Sequence, residues 1–327
     1  MGADSFTHSM DQPIAFTFSP LLHTRIESID QYRDRLLTIP LLPRKEIALR
    51  TYATEVRILT ALKEARIPMT ATELSRLLNT PPKRPHPMER EALMYRQALI
   101  FVRNEWTGKP GLFSHADIEV LMHISGTLSF PRISRIIQES ADELSKLIAY
   151  CNASNDHPIL LTGIVHAYMT RTVLHTFSRG RITLLMTVLM LARAGYDARS
   201  LLPLESTLFH DQKAYEHALT SIESYGQMTI WLEYFATCVL EAYKTLELHI
   251  ETILKTPEKR VPFSLINDRQ KQILILLDAY GTKVTNRDVQ KRFGISQITA
   301  SRDLTRLVSA GYLLARGKGR SVSYELA

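Results

Sequence analysis

The chain has 327 residues, 45% of them hydrophobic, with a formal net charge of +7 at neutral pH. That is an ordinary globular composition with enough apolar mass for two cores, which excludes a disordered, collagen-like or low-complexity polymer. Two cysteines, Cys151 and Cys238, stand far apart in no CxxC or Cys/His cluster; this excludes a disulfide framework or zinc module and fits a reducing, cytoplasmic compartment.

The opening MGADSFTHSM lacks a basic start followed by an apolar run, so no signal peptide is expected. The apolar spacing then predicts helices over Ser28–Leu37, Arg44–Ala65, Ala71–Leu78 and Pro87–Trp106, with the Pro-rich Thr80–Pro87 as a loop. Lys83 and Arg84 in that loop are expected to be solvated. Further helices are predicted over Ser114–Ile124, with Ser114 as cap, and over Ile133–Cys151. Pro158 opens a helix to Leu174, and Gly195 closes one over Arg181–Ala194. Its apolar run around Leu184–Ala192 is too short to span a bilayer, so it is expected to be buried all round and no membrane partner is expected. Gln212–Tyr225 and Thr229–Lys255 complete the series, with Trp231, Tyr234 and Phe235 at core spacing. Arg199 and Glu205 read as surface charges. His166 and His175 are nine apart, about 180° around a helix, so no metal site is expected from them.

The last 61 residues, Asn267 to Ala327, hold 11 Lys/Arg against 5 Asp/Glu, a net of +6, so the rest of the chain is close to neutral. Charge this localised reads as a footprint for a polyanion. Helices are predicted over Asp268–Tyr280, closed by Gly281, over Asn286–Phe293, capped by Thr285, and over Gln297–Ala310, capped by Ser296 and ended by Gly311. On the third, Ala300, Leu304, Leu307 and Val308 share one side, and Ile298, Arg302, Thr305 and Arg306 share the other. Two short strands follow, Tyr312–Ala315 and Ser321–Leu326, around a turn carrying Arg316, Lys318 and Arg320.

The order helix, helix, helix, hairpin is that of a winged helix-turn-helix, and Ser296–Leu304 (SQITASRDL) resembles the recognition helix of DeoR-like repressors. The expected partner is double-stranded DNA, met by Gln297, Ile298, Arg302, Thr305 and Arg306 in a groove and by Arg316, Lys318 and Arg320 along the phosphates. A homodimer is expected, because such modules commonly read paired half-sites. The alternative is a winged helix used only for protein interaction.

Upstream, HPILLTGIVHAYMTRTVLHTF, GRITLLMTVLMLARAGYDARSLLPLE, DQKAYEHAL and WLEYF together resemble the core of the Fic family. The resemblance implies a helical fold whose active members transfer AMP, or another phosphate-containing group, onto a target hydroxyl. The family loop H-P-F-x-(D/E)-G-N-G-R-x-x-R stands here as His175-Thr176-Phe177-Ser178-Arg179-Gly180-Arg181-Ile182-Thr183-Leu184. On that match His175 is the general base, Phe177 the aromatic anchor, and Gly180 and Arg181 the phosphate contacts, with ATP or another nucleotide as the implied cofactor; Ser178-Arg179 replaces the family's Gly-Asn pair, and Arg179 adds a cation close to where phosphate would lie. The loop is two residues short, the metal-holding acid is missing and Leu184 replaces the final arginine. A shorter cradle without its carboxylate is poorly suited to metal-assisted transfer. The family's inhibitory T-x-x-x-E pattern has a counterpart in Thr60 and Glu64. Its target-holding hairpin would fall on Gly126–Pro131, which is short for one.

The expected fold is therefore all-α, a Fic-like helical domain followed by a winged helix-turn-helix with a small β-hairpin wing. The expected domains are an N-terminal helical region over 1–110, a Fic-like core over 111–256, a linker over 257–266 and the winged helix over 267–327. Two functions remain open. One is a DNA-binding regulator whose Fic-like domain is inactive or atypical. The other is an atypical Fic enzyme acting on a protein target, with His175 as base.

Overall fold

The structure is a computed structural model that describes residues 15–107, 114–124, 141–172, 179–255, 265–280, 283–317 and 322–326. It divides into two compact units, Met1–Ile39 with Arg50–Leu248, and Pro40–Leu49 with His249–Ala327. Fourteen helices and one small sheet occupy the described residues.

The helices of the first unit are α1 (Pro20–Thr38), α2 (Pro43–Glu64, from Arg50 on), α3 (Ala71–Asn79), α4 (Pro87–Trp106), α5 (His115–Ile124), α6 (Ala141–Ala153), α7 (Pro158–Thr172), α8 (Arg179–Arg193), α9 (Glu205–Leu208), α10 (Gln212–Tyr225) and α11 (Thr229–Lys255, up to Leu248). The centre is α8. Ile182, Leu184, Leu185, Met186, Leu189 and Ala192 point to different sides of it, and all are buried. It packs against α7, α4 and α5. α7 lies close to α11 because Gly163 has no side chain. A Cβ there would stand 2.9 Å from Leu232 Cδ2 and 3.1 Å from Phe235 Cδ1. Trp231 Nε1 then donates to the Gly163 carbonyl at 2.8 Å.

Several expectations need correction. α1 starts at Pro20 rather than Ser28. Ser19 caps it, with its side chain accepting from the Leu22 amide, and Pro20 pre-sets the first turn. α8 begins two residues early, at Arg179, and the one-turn α9 was not expected. Glu205 is 2% exposed rather than on the surface. Arg199 is half-buried, and its Nη2 donates to the carbonyls of Leu36 and Ile39 at 3.1 and 3.2 Å. It belongs to a turn in which Ala198, Arg199 and Ser200 have φ of 47°, 63° and 65°. Three consecutive non-glycine residues in that region cost roughly 1–2 kcal/mol each. The Leu201 and Leu202 amides bond back to the Asp197 carbonyl, and Ser200 Oγ donates to Asp197 Oδ2, which fixes the turn. The expectations over residues 125–140, 173–178 and 256–264 lie outside the described residues.

In the second unit, α12 (Asp268–Tyr280), α13 (Asn286–Phe293) and α14 (Gln297–Ser309) stand with β1 (Val284–Thr285), β2 (Leu313–Arg316) and β3 (Ser323–Leu326). The strands are antiparallel in the order β1-β3-β2. β1 was missed, since two residues carry no alternation to detect. Thr285 and Asp288 form a capping box on α13, and Gly294 ends it at φ 62°. One core joins these elements: Ile273, Leu277, Val284, Val289, Ala300, Leu304, Leu307 and Leu313 are buried together.

Candidate nucleic-acid interface

The periodicity of α14 splits it into two faces. Ala300, Leu304 and Leu307 are fully buried, while Gln297, Ile298, Ser301, Arg302, Thr305, Arg306 and Ser309 line an open depression on the other side. Ile298 is 72% exposed. A single exposed isoleucine is ordinary on any surface. Here it lies beside hydrogen-bonding groups and two arginines, on a face that suits a groove of base edges and thymine methyls.

The acid of this helix is turned away from that face. Asp303 is 3% exposed. Arg269 Nε donates to its Oδ2 at 2.5 Å and Gln270 Nε2 to its Oδ1 at 2.9 Å. Burial works against the charge, but the bonds from Arg269 and Gln270 outweigh it and hold the carboxyl below its ordinary range. Among the described residues, the outward face therefore carries Arg302 and Arg306 without a neutralising acid. The helical period puts Asp303 on the buried side with Ala300, Leu304 and Leu307, but its partners could not be found from local pattern, because they are more than 30 residues away in sequence.

Sequence reasoning also missed Arg287, Lys291 and Arg292, which are exposed on α13 beside α14. Their only signal was the charge count of the tail. On the wing, Arg316 is exposed and its Nε donates to Glu325 Oε1 at 2.5 Å. Lys318 and Arg320 lie outside the described residues.

The phosphate-loop residues are only partly described. His175, Phe177 and Ser178 lie outside the described residues, and Arg179 and Gly180 are the first two residues of α8. Arg181 is 3% exposed, and its Nη1 is hydrogen-bonded to Glu91 Oε2 of α4. Burial lowers its pKa. Leu184 is fully buried. Thr60 and Glu64 are half-buried on α2, and burial raises the Glu64 pKa, with Lys63 opposing. His166 is a core residue. Its Nδ1 lies 2.8 Å from Thr187 Oγ1 and its Nε2 3.0 Å from Tyr215 Oη, and its ring stacks on Trp231. Burial pushes its pKa down to about 3, so the ring is neutral. Among the described residues no three His, Cys, Asp or Glu side chains are grouped to hold a metal ion, and no helix is long and apolar enough to cross a membrane.

Three helices, a two-residue strand and a hairpin define the second unit as a winged helix-turn-helix, and residues 269–326 match the DeoR-like helix-turn-helix domain family. The chain as a whole has the fold of a Fic protein joined to that domain. It is similar to the crystal structure of a Fic family protein from Desulfovibrio desulfuricans G20, at TM-score 0.58 and 16% identity, over 97% of this chain and 98% of that one. At that identity the likeness establishes the fold. A comparison with curated proteins found no match.

Proposed function

We propose that this protein is a DNA-binding transcriptional regulator in which the Fic-like unit serves as a scaffold or ligand sensor rather than an AMP transferase. The observation that carries the reading is the α14 face, with Arg302 and Arg306 outward and Asp303 folded inward onto Arg269 and Gln270. Arg287, Lys291 and Arg292 extend the positive surface onto α13, where they suit the phosphates that flank a groove. For the first unit, the support is chemical. The family's last arginine is replaced by a leucine that is buried in the core, and Arg181 is already paired with Glu91. A triphosphate would need cations free to meet it.

The test is selection of duplexes from a random pool, followed by titration of the selected and a scrambled duplex over a range of salt. Affinity should fall steeply with salt, by a log–log slope of about −0.9 for each phosphate neutralised. Arg302→Ala should cost roughly 1–3 kcal/mol on the selected duplex and little on the scrambled one. Wild-type discrimination in Arg302→Ala would remove α14 as the reading element. Calorimetry with ATP, with and without Mg²⁺, addresses the first unit. Metal-dependent binding, with transfer of labelled AMP that is lost in His175→Ala, would replace this reading by the enzymatic one. A homodimer on paired half-sites belongs to the same proposal, and sedimentation with and without duplex measures it.

A further inference from the structure

The acid in the wing points to a built-in brake on phosphate binding. β3 is the central strand of the small sheet, with β1 on one side and β2 on the other. Glu325 sits on it opposite Leu314, one diagonal step from Arg316. Its carboxylate spans the sheet. Oε1 accepts from Arg316 Nε of β2 at 2.5 Å, and Oε2 lies 3.8 Å from Lys283 Nζ, in the residue before β1. Both cations are otherwise open to solvent, with side chains 49% and 63% exposed, whereas that of Glu325 is 23% exposed. One half-buried acid therefore engages a cation of β2 and another just ahead of β1.

We propose that Glu325 is the competitor that a phosphate must displace before Arg316 and Lys283 can engage a duplex. This inference rests on the DNA-binding reading above and adds the residue that sets its strength and salt response. A free arginine that meets a phosphate releases one condensed cation from the duplex. An arginine leaving Glu325 uncovers a carboxylate that attracts a cation in turn, so the net release is smaller. The brake should act alike on selected and scrambled duplexes, because phosphates carry no sequence. It lowers background binding by the wing and leaves discrimination to α14.

The experiment is the salt titration of the full chain, wild type against Glu325→Gln, on the selected and the scrambled duplex. The glutamine keeps the size of the side chain and one acceptor oxygen, and removes the charge. Expected are an affinity gain of about tenfold at low salt on both duplexes and a log–log slope steeper by about 1. Arg316→Gln should then cost more affinity in the Glu325→Gln background than in the wild type. Loss of wing structure would move affinity down rather than up, so a gain cannot come from misfolding; a fall in affinity with the wing's amide protection intact overturns the brake, as does an unchanged slope. Absence of salt-dependent duplex binding by the wild type is a separate result. It removes the DNA-binding reading itself.

Discussion

Arg57 of α2 is expected to be the most costly single charge to remove from the first unit. It is 3% exposed, and its Nε lies 3.6 Å from Glu205 Oε2 while its Nη2 donates to the Leu202 carbonyl. At an effective dielectric near 20, opposite charges at that distance attract by about 4–5 kcal/mol. Desolvation of the two ions offsets most of this, so the intact pair contributes little net stability. Breaking it from one side is different. Glu205 is buried and neither carboxylate oxygen has a hydrogen-bond partner, and Asp197 is buried within the influence of the same arginine. For both acids burial raises the pKa and Arg57 opposes the rise. Without Arg57 they would ionise in apolar surroundings or take up protons. Protonating a carboxyl of ordinary pKa near 4.5 at pH 7 costs roughly 3.4 kcal/mol. Arg57→Met should therefore destabilise the unit by about 3–5 kcal/mol at pH 7. A carboxyl whose folded pKa lies above its unfolded value is relieved as pH falls towards the unfolded value. The Arg57→Met deficit should shrink as pH falls from 7 towards 5, by at most about 1.4 kcal/mol per pH unit for each carboxyl that Arg57 keeps ionised. Urea unfolding followed by tryptophan fluorescence measures this, because both tryptophans, Trp106 and Trp231, belong to the first unit. A deficit below about 1 kcal/mol at pH 7, or one unchanged at pH 5, would refute the argument.

Three other outcomes are expected. Gly163→Ala should cost about 1–3 kcal/mol in the same unfolding assay, since overpacking against Leu232 and Phe235 exceeds the helix-propensity gain of roughly 1 kcal/mol; a stabilised variant would show that α7 and α11 separate freely. His166 binds a proton at about pH 3 folded and near 6.5 unfolded, so the unfolded state holds more protons between those values and stability should fall as pH drops through that window, by up to about 1.4 kcal/mol per unit. In His166→Gln that part of the acid slope should vanish, and an unchanged slope would place the proton elsewhere. Thr285→Ala removes the capping box of α13 and should cost about 1 kcal/mol, read as faster amide exchange in α13 with α8 unchanged.

Much of the fold was legible because its signals are local. α4, α10, α11, α12 and α13 begin and end where their proline, capping and apolar patterns place them. The early start of α1 was also encoded, in the Ser19-Pro20 pair, but the apolar stripe dominated the reading. The buried charges were not legible. Glu205 looks like any surface acid until α2 supplies Arg57 from almost 150 residues away, and Asp303, on the buried side of α14 by its period, has no visible partner until α12 supplies Arg269 and Gln270. The exposed face of α14 followed from a 3.6-residue period. Its two outward arginines followed from the same period; the pairing of Asp303 with Arg269 and Gln270 did not, because it depends on distant partners. The turn at Ala198–Ser200 was hidden for a related reason: no glycine marks it, and it is held by bonds around Asp197 and by Arg199 reaching the carbonyls of Leu36 and Ile39.

The burial of Asp303 has a consequence for when the protein becomes competent to hold a polyanion. As an extended peptide, Ser301-Arg302-Asp303-Leu304-Thr305-Arg306 presents its carboxylate alongside both guanidinium groups. Only the assembled module withdraws the negative charge and concentrates the positive one. A nascent or partly unfolded chain would thus offer nucleic acid a weaker target than the finished one, so attraction to the duplex is acquired together with tertiary structure.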